Sequence, residues 1–191
     1  MNSPEQISWR TYLAATLVVI VGAALILYLK GQVPICKCGY VKLWHGEPIS
    51  SENSQHISDW YSLSHMIHGF LFFAVLGWVA QRMPVGLRLT LATAVEAGWE
   101  IFENSDFIIN RYREATISLD YYGDSVLNSV SDIGFMVIGF FLAWRLPVWV
   151  SVTAVIAMEL AAVYAIRDNL TLNIIMLVYP LDAIKVWQTG G

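Results

Sequence analysis

From Tyr12 to Leu29 the chain reads YLAATLVVIVGAALILYL, with no charged residue, close to the ~20 residues that cross a bilayer as a helix. A run of that kind has few folds open to it. Lipid offers backbone amides no partner, so the segment must bond internally as a helix. It is long for the apolar core of a signal peptide. No small-x-small cleavage site follows in ILYLKGQVPICKC, so it reads as a retained first span behind a short polar tail, Met1–Arg10. The 191 residues are 57% hydrophobic and 14% charged, which sets the class: one all-α domain, a polytopic transmembrane helix bundle. The net charge of −4 leaves no basic surplus for nucleic acid.

Four further apolar segments, 63–80, 87–103, 125–144 and 148–166, read as spans after the first at 12–29, within a single membrane domain covering 1–191. A last stretch, 170–187, is cut by Pro180 and followed by Asp182 and Lys185, which suits a short sixth span or an interfacial helix. Residues 30–61 form a long polar loop rich in Pro, Gly, Ser and Asn, and Asn104–Gly123 reads as a second loop. Alternating spans bring the starts of the second and fourth and the ends of the third and fifth to one membrane face, together with the long loop. Lysine and arginine are almost evenly divided between the two sides. The positive-inside count mildly opposes an N-terminus inside. The lysine-bearing loop can translocate, however, and the loop arginines can pair with the clustered acids, so the expected orientation has the N-terminus inside and the polar cluster extracytoplasmic.

The bundle carries unusual cargo. Glu96, Glu100 and Glu103 fall at i, i+4, i+7, one helical stripe, with Asn104 beside it, and Asp124, Asn128 and Asp132 fall at i, i+4, i+8 on the next helix. Ionisable groups at membrane depth are costly and mark functional sites facing the bundle interior. His65 and His68, at i, i+3 on the second span, complete a mixed shell with Glu100, Glu103 and Asp124 suited to zinc, manganese or iron. The same residues could instead form a hydrogen-bonded polar core that sets helix register. As catalysts, His65 or His68 would be acid, base or metal ligand, with Glu100, Asp124 and Asn128 as partners. Arg111 and Arg113, with Asn104 and Tyr122, would hold an anion or the substrate. Cys36 and Cys38 form a C-x-C pair, read as free thiols or metal ligands; a closed zinc site there would need His45 or His56 as well.

CGYVKLWHG, SSENSQHISDWYSLSHMIHGF, EAGWEIFENS, INRYREATISLDYYGDSVLNSVSD and IRDNLTLN together resemble the bacterial membrane protein family catalogued as domain of unknown function 2585, over nearly the whole chain from Cys38 to Asn173. The resemblance implies a small integral inner-membrane protein of unestablished activity. More distantly, the pattern is similar to VanZ-like membrane proteins, with His65 or His68, Glu100 and Asp124–Asn128 at the matching positions. The loop arginine before the aspartate is spaced differently here.

Three functions stand open on this reading: a membrane enzyme acting on a lipid or lipid-linked substrate, with a divalent metal as the candidate cofactor; a non-enzymatic accessory subunit of a membrane complex; and a transporter or proton relay. A transporter commonly shows an internal repeat of broken helices, and the sequence has none.

Overall fold

Most helices in the computed structural model, which describes residues 8–116 and 118–190, begin at a capping side chain or a proline; of the expected polar tail, residues 1–7 lie outside the described residues. Ser8 accepts from Thr11 N and starts α1, Trp9–Leu29. After the long loop comes α2, Ser62–Val79. Pro84 precedes α3, Val85–Glu103, and Pro147 precedes α6, Val148–Ile166, each proline standing where its missing N–H costs nothing. Ser125 accepts from Asn128 N at the start of α5, Val126–Arg145. Asn169 caps α7, Leu170–Val178, and α8 is Asp182–Gln188.

Among the described residues the secondary structure is helical, and four helices, α1, α2, α5 and α6, are long and apolar enough to cross a membrane. The fifth apolar segment, α3, has the length but carries Arg88, Glu96, Glu100 and Glu103. At 1.5 Å per residue, nine-residue α7 reaches only about 14 Å, short of the ~30 Å hydrocarbon core, and Pro180 separates it from α8. One expected loop is partly a helix. Ser105 accepts from Ile108 N and opens α4, Asp106–Ala115, whose Ile108, Ile109, Tyr112 and Ala115 face inward at helical spacing.

Close backbone approach holds the centre. A Cβ on Gly69 of α2 would collide with the Met136 carbonyl of α5, and one on Gly139 with the Met66 carbonyl. Small residues let helices meet this way in lipid, where apolar burial alone gives no drive to associate. Leu89, Ala92, Met136 and Phe140 form one buried cluster, and Ala23, Ala97 and Ile133 another. The long loop then folds over the start of α5: Val126 N donates to Val33 O at 2.8 Å, Ser125 N to Ser54 O at 3.0 Å and Asn128 Nδ2 to His56 O at 2.9 Å. The polar ends of α2, α3, α5 and α6 therefore share one end of the bundle with that loop.

Candidate functional site

His65 and His68, three residues apart on α2, turn the same way, toward the glutamate stripe of α3. His65 Nδ1 donates to Glu96 Oε1 at 2.7 Å, and His68 Nδ1 is shared between both Glu96 oxygens at 3.0 Å each. Glu96 is fully buried, so two N–H donors replace the water it has lost. One turn further, Glu100 is equally buried and very differently treated. Its Oε1 lies 3.4 Å from His65 Nδ1, but that nitrogen is bonded to Glu96, and neither Glu100 oxygen has a hydrogen-bond partner among the described residues. Glu103 Oε1 accepts from the Tyr112 hydroxyl at 2.7 Å. From α5, Asp132 Oδ1 accepts from Ser62 Oγ at 2.9 Å, and Oδ2 lies 3.8 Å from His65 Nε2.

A layer of neutral donors closes the end of the bundle. Asp124 accepts from Asn104 Nδ2 at 3.0 Å and from the Tyr121 hydroxyl at 2.9 Å; burial and the neighbouring Glu103 push its carboxyl up to about 7. Asp168, at the end of α6, accepts from the Tyr61 hydroxyl at 3.1 Å, and burial raises it to about 6. Some of these groups border a cavity of about 310 Å³, with Glu100, Asn104 and Asp168 set behind its lining. Its lining mixes the acid–base side chains His65, His68, Glu96, Glu103, Asp124 and Asp132 with the apolar Phe72, Val95, Trp99, Ile174 and Leu177. Tyr61, Tyr112 and Tyr121 line it too, but each hydroxyl proton already serves a carboxylate. Among the described residues no lysine or arginine lines the cavity. It presents acceptors in excess of donors.

A second His/carboxylate group lies in the long loop. Glu52 accepts from Tyr40 OH at 2.8 Å, Lys42 Nζ at 2.6 Å and His56 Nε2 at 3.1 Å, and Lys42 first, then Tyr40 and His56, hold its carboxyl down at about 2. His45 bonds Ser50 at 2.9 Å and accepts from Lys42 Nζ at 3.2 Å. The expectation of free or metal-binding thiols at Cys36 and Cys38 needs correction. The two are joined as a disulfide, with Cα atoms 5.1 Å apart, inside the ordinary range for such bonds, and with Gly39 supplying the positive φ that turns the chain behind them.

Of the residues singled out in the sequence, His65, His68, Glu100, Glu103 and Asp124 converge at the bundle end. Asn104 bridges Asp124 and the Glu100 carbonyl, while Asn128 is engaged by the His56 carbonyl. Arg111 Nε donates to Leu177 O at 2.8 Å, Arg113 Nε to Tyr121 O at 2.5 Å, and Tyr122 stacks under Lys37; none of these three lines the cavity. Glu96 and Asp132 matter more than the sequence reading allowed, and their helical spacing was the available signal. The three tyrosines gave none.

The comparisons bear on the family. The sequence profile described as "Protein of unknown function (DUF2585)" matches residues 27–190. A "UPF0314 protein" of Paracoccus denitrificans is 63% identical over 176 residues, covering 92% of this chain and 91% of the relative. One of Rhizobium etli is 55% identical over 179 residues, 94% and 92% of the two chains, and one of Sphingopyxis alaskensis is 52% identical over 185 residues, 97% and 98%. No solved structure matches the chain. None of these matches carries the more distant VanZ-like resemblance. With nearly its whole length covered by the profile and by these bacterial relatives, the chain belongs to the DUF2585 family.

Proposed function

We propose that this protein is a multi-pass enzyme of the bacterial inner membrane acting on a lipid or lipid-linked substrate at the His65 centre. The mixed lining of the cavity carries the reading: apolar side chains suited to a hydrocarbon chain share it with acid–base side chains held on the packed helices α2, α3 and α5. His65 is the acid/base residue or metal ligand, Glu96 orients it, and Glu100 and Asp132 supply charge beside it. Because the lining is rich in acceptors, the reacting end of the substrate is a hydroxyl-bearing or cation-associated group. In this reading α3 crosses the membrane as a fifth span, its charged face turned to α2 and α5 and its partners supplied by His65 and His68. The Cys36–Cys38 disulfide supports placing the loop, and with it the cavity, on the oxidising, extracytoplasmic side.

The test is the lipid profile, by mass spectrometry, of cells lacking this chain and of the same cells carrying wild-type protein or His65→Ala at equal membrane abundance. The expected result is a lipid class that accumulates without the protein, is cleared by wild type and persists with His65→Ala. An unchanged profile on deletion, or full correction by His65→Ala, would leave a subunit whose polar core only fixes helix packing.

A further inference from the structure

Three groups among the described residues have the composition of a metal site, each bringing ligand-type atoms within 4.8 Å of one another. In the loop the group is Cys36, Cys38, Glu52 and His56, but the sulfurs are bonded together and Glu52 already accepts from three donors. In the bundle, His65, His68 and Glu96 are closed by their own hydrogen bonds. The third group is His65, Glu100 and Glu103, and there both carboxylates have open oxygens, while His65 brings a nitrogen that is bonded to Glu96. Both oxygens of fully buried Glu100 lack a donor among the described residues, and Glu103 is bonded only through Oε1. A buried carboxylate without a donor is among the costliest arrangements a fold can hold, and a proton or a cation must relieve it. Glu96 and Asp132 stand within ion-pair distance of His65, and no lysine or arginine among the described residues lines the cavity, so the surroundings favour a cation.

We propose that His65, Glu100 and Glu103 bind one divalent transition-metal ion at the edge of the cavity. The ion takes the place of the proton on His65 Nδ1, the nitrogen 3.4 Å from Glu100, so that binding exchanges the His65–Glu96 hydrogen bond for the metal. That leaves Nε2 facing Asp132, itself fixed by Ser62, as the outer carboxylate that orients a ligating imidazole. Imidazole with two carboxylates is a set that zinc and manganese accept, and three protein ligands leave a position for water or substrate. Glu96, which keeps its bond to His68, stays beside the ion as a hydrogen-bond acceptor. This site rests on the reading of the cavity as a place of chemistry and adds the substrate's chemistry to it: a phosphate or other anionic headgroup enters a cavity lined by acids through the metal.

The experiment is metal loading of the full chain in detergent, without reductant. The protein is stripped with chelator, equilibrated with Zn²⁺ or Mn²⁺, freed of excess and assayed by plasma emission spectrometry. About one ion per chain is expected for wild type and for Cys36→Ser/Cys38→Ser, with at least a tenfold loss in Glu100→Gln and in Glu103→Gln, each shown by circular dichroism to be folded. Wild-type protein retaining a negligible fraction of an ion per chain overturns the site whatever the variants do. So does loading that survives in folded Glu100→Gln or Glu103→Gln, or that falls only when the cysteines are removed. A metal-free wild type whose lipid phenotype still depends on His65 would sink the metal and keep the enzyme. A metal-loaded protein with no lipid phenotype would do the reverse.

Discussion

Glu52 and Glu100 each stand beside a histidine within a group that could ligate a metal, yet their surroundings are opposite. Glu52, in the loop, is reached by a tyrosine, a lysine and a histidine, and its neighbouring cysteines are joined. Glu100, in the bundle, is more deeply buried and is reached by no donor among the described residues. Were both clusters structural, the buried one would need its partners most, because an unmade hydrogen bond costs more away from water. The pattern runs the other way. The loop is a finished network that caps the start of α5, whereas the bundle leaves Glu100 without a donor among the described residues.

That contrast can be broken most severely at His65. His65→Ala removes the group that approaches Glu96, Glu100 and Asp132 and leaves three carboxylates crowded, a loss of about 3–5 kcal/mol, read as a fall in melting temperature in detergent. A melt equal to wild type would mean that the histidine is not the counter-charge.

Next comes Glu100. With Zn²⁺ at a hundred times its dissociation constant, wild-type protein gains about 2.7 kcal/mol, while metal-free Glu100→Gln is at least as stable as metal-free wild type and gains nothing from zinc. Equal stabilisation of both proteins would erase the distinction between the two carboxylates.

A third effect is expected at Asp124, whose carboxyl is raised to about 7 from an ordinary value of 3.8. Between those values the folded form keeps a proton that the unfolded form has lost. Stability is therefore greatest below about pH 4, falls as pH rises toward 7 and levels off above it. Asp124→Asn removes this slope, on the order of 2 kcal/mol once water at the cavity wall screens part of the shift. Denaturation curves at pH 5 and pH 8 compare the two proteins, and a slope retained in the variant would assign it elsewhere.

The smallest change belongs to the loop. Closing three residues into a ring restrains the unfolded chain little, about 1.6 kcal/mol by loop entropy, so Cys36→Ser/Cys38→Ser lowers the melting point modestly and leaves metal binding untouched. A large destabilisation, or loss of metal, would make the loop more than a cap.

The helices were readable because apolar runs and prolines mark them out, and reading α2, α3 and α5 as successive antiparallel helices puts His65, Glu100 and Asp124 at one end of the bundle. What could not be read has physical causes. α4 hides in a charged stretch, NRYRE, where only Ser105 as cap and the spacing of Ile108, Ile109 and Tyr112 betray a helix. The disulfide depends on a local turn with Gly39 at positive φ, which composition does not encode. That His65 bonds Glu96 and not Glu100 is decided by rotation and shift of α3 against α2, fractions of a turn that a periodicity count cannot resolve. The tyrosines that satisfy Asp124, Glu103 and Asp168 arrive from α4 and from loops, so no spacing rule ties them to their acids.

The most direct measurement is X-ray absorption at the zinc edge on zinc-loaded full-length protein in detergent, with the disulfide intact. The scattering should show only oxygen and nitrogen neighbours with an imidazole signature, and that signal should vanish in Glu100→Gln. Sulfur among the zinc's direct neighbours, or an unchanged spectrum in Glu100→Gln, would contradict the assignment of the metal to the bundle.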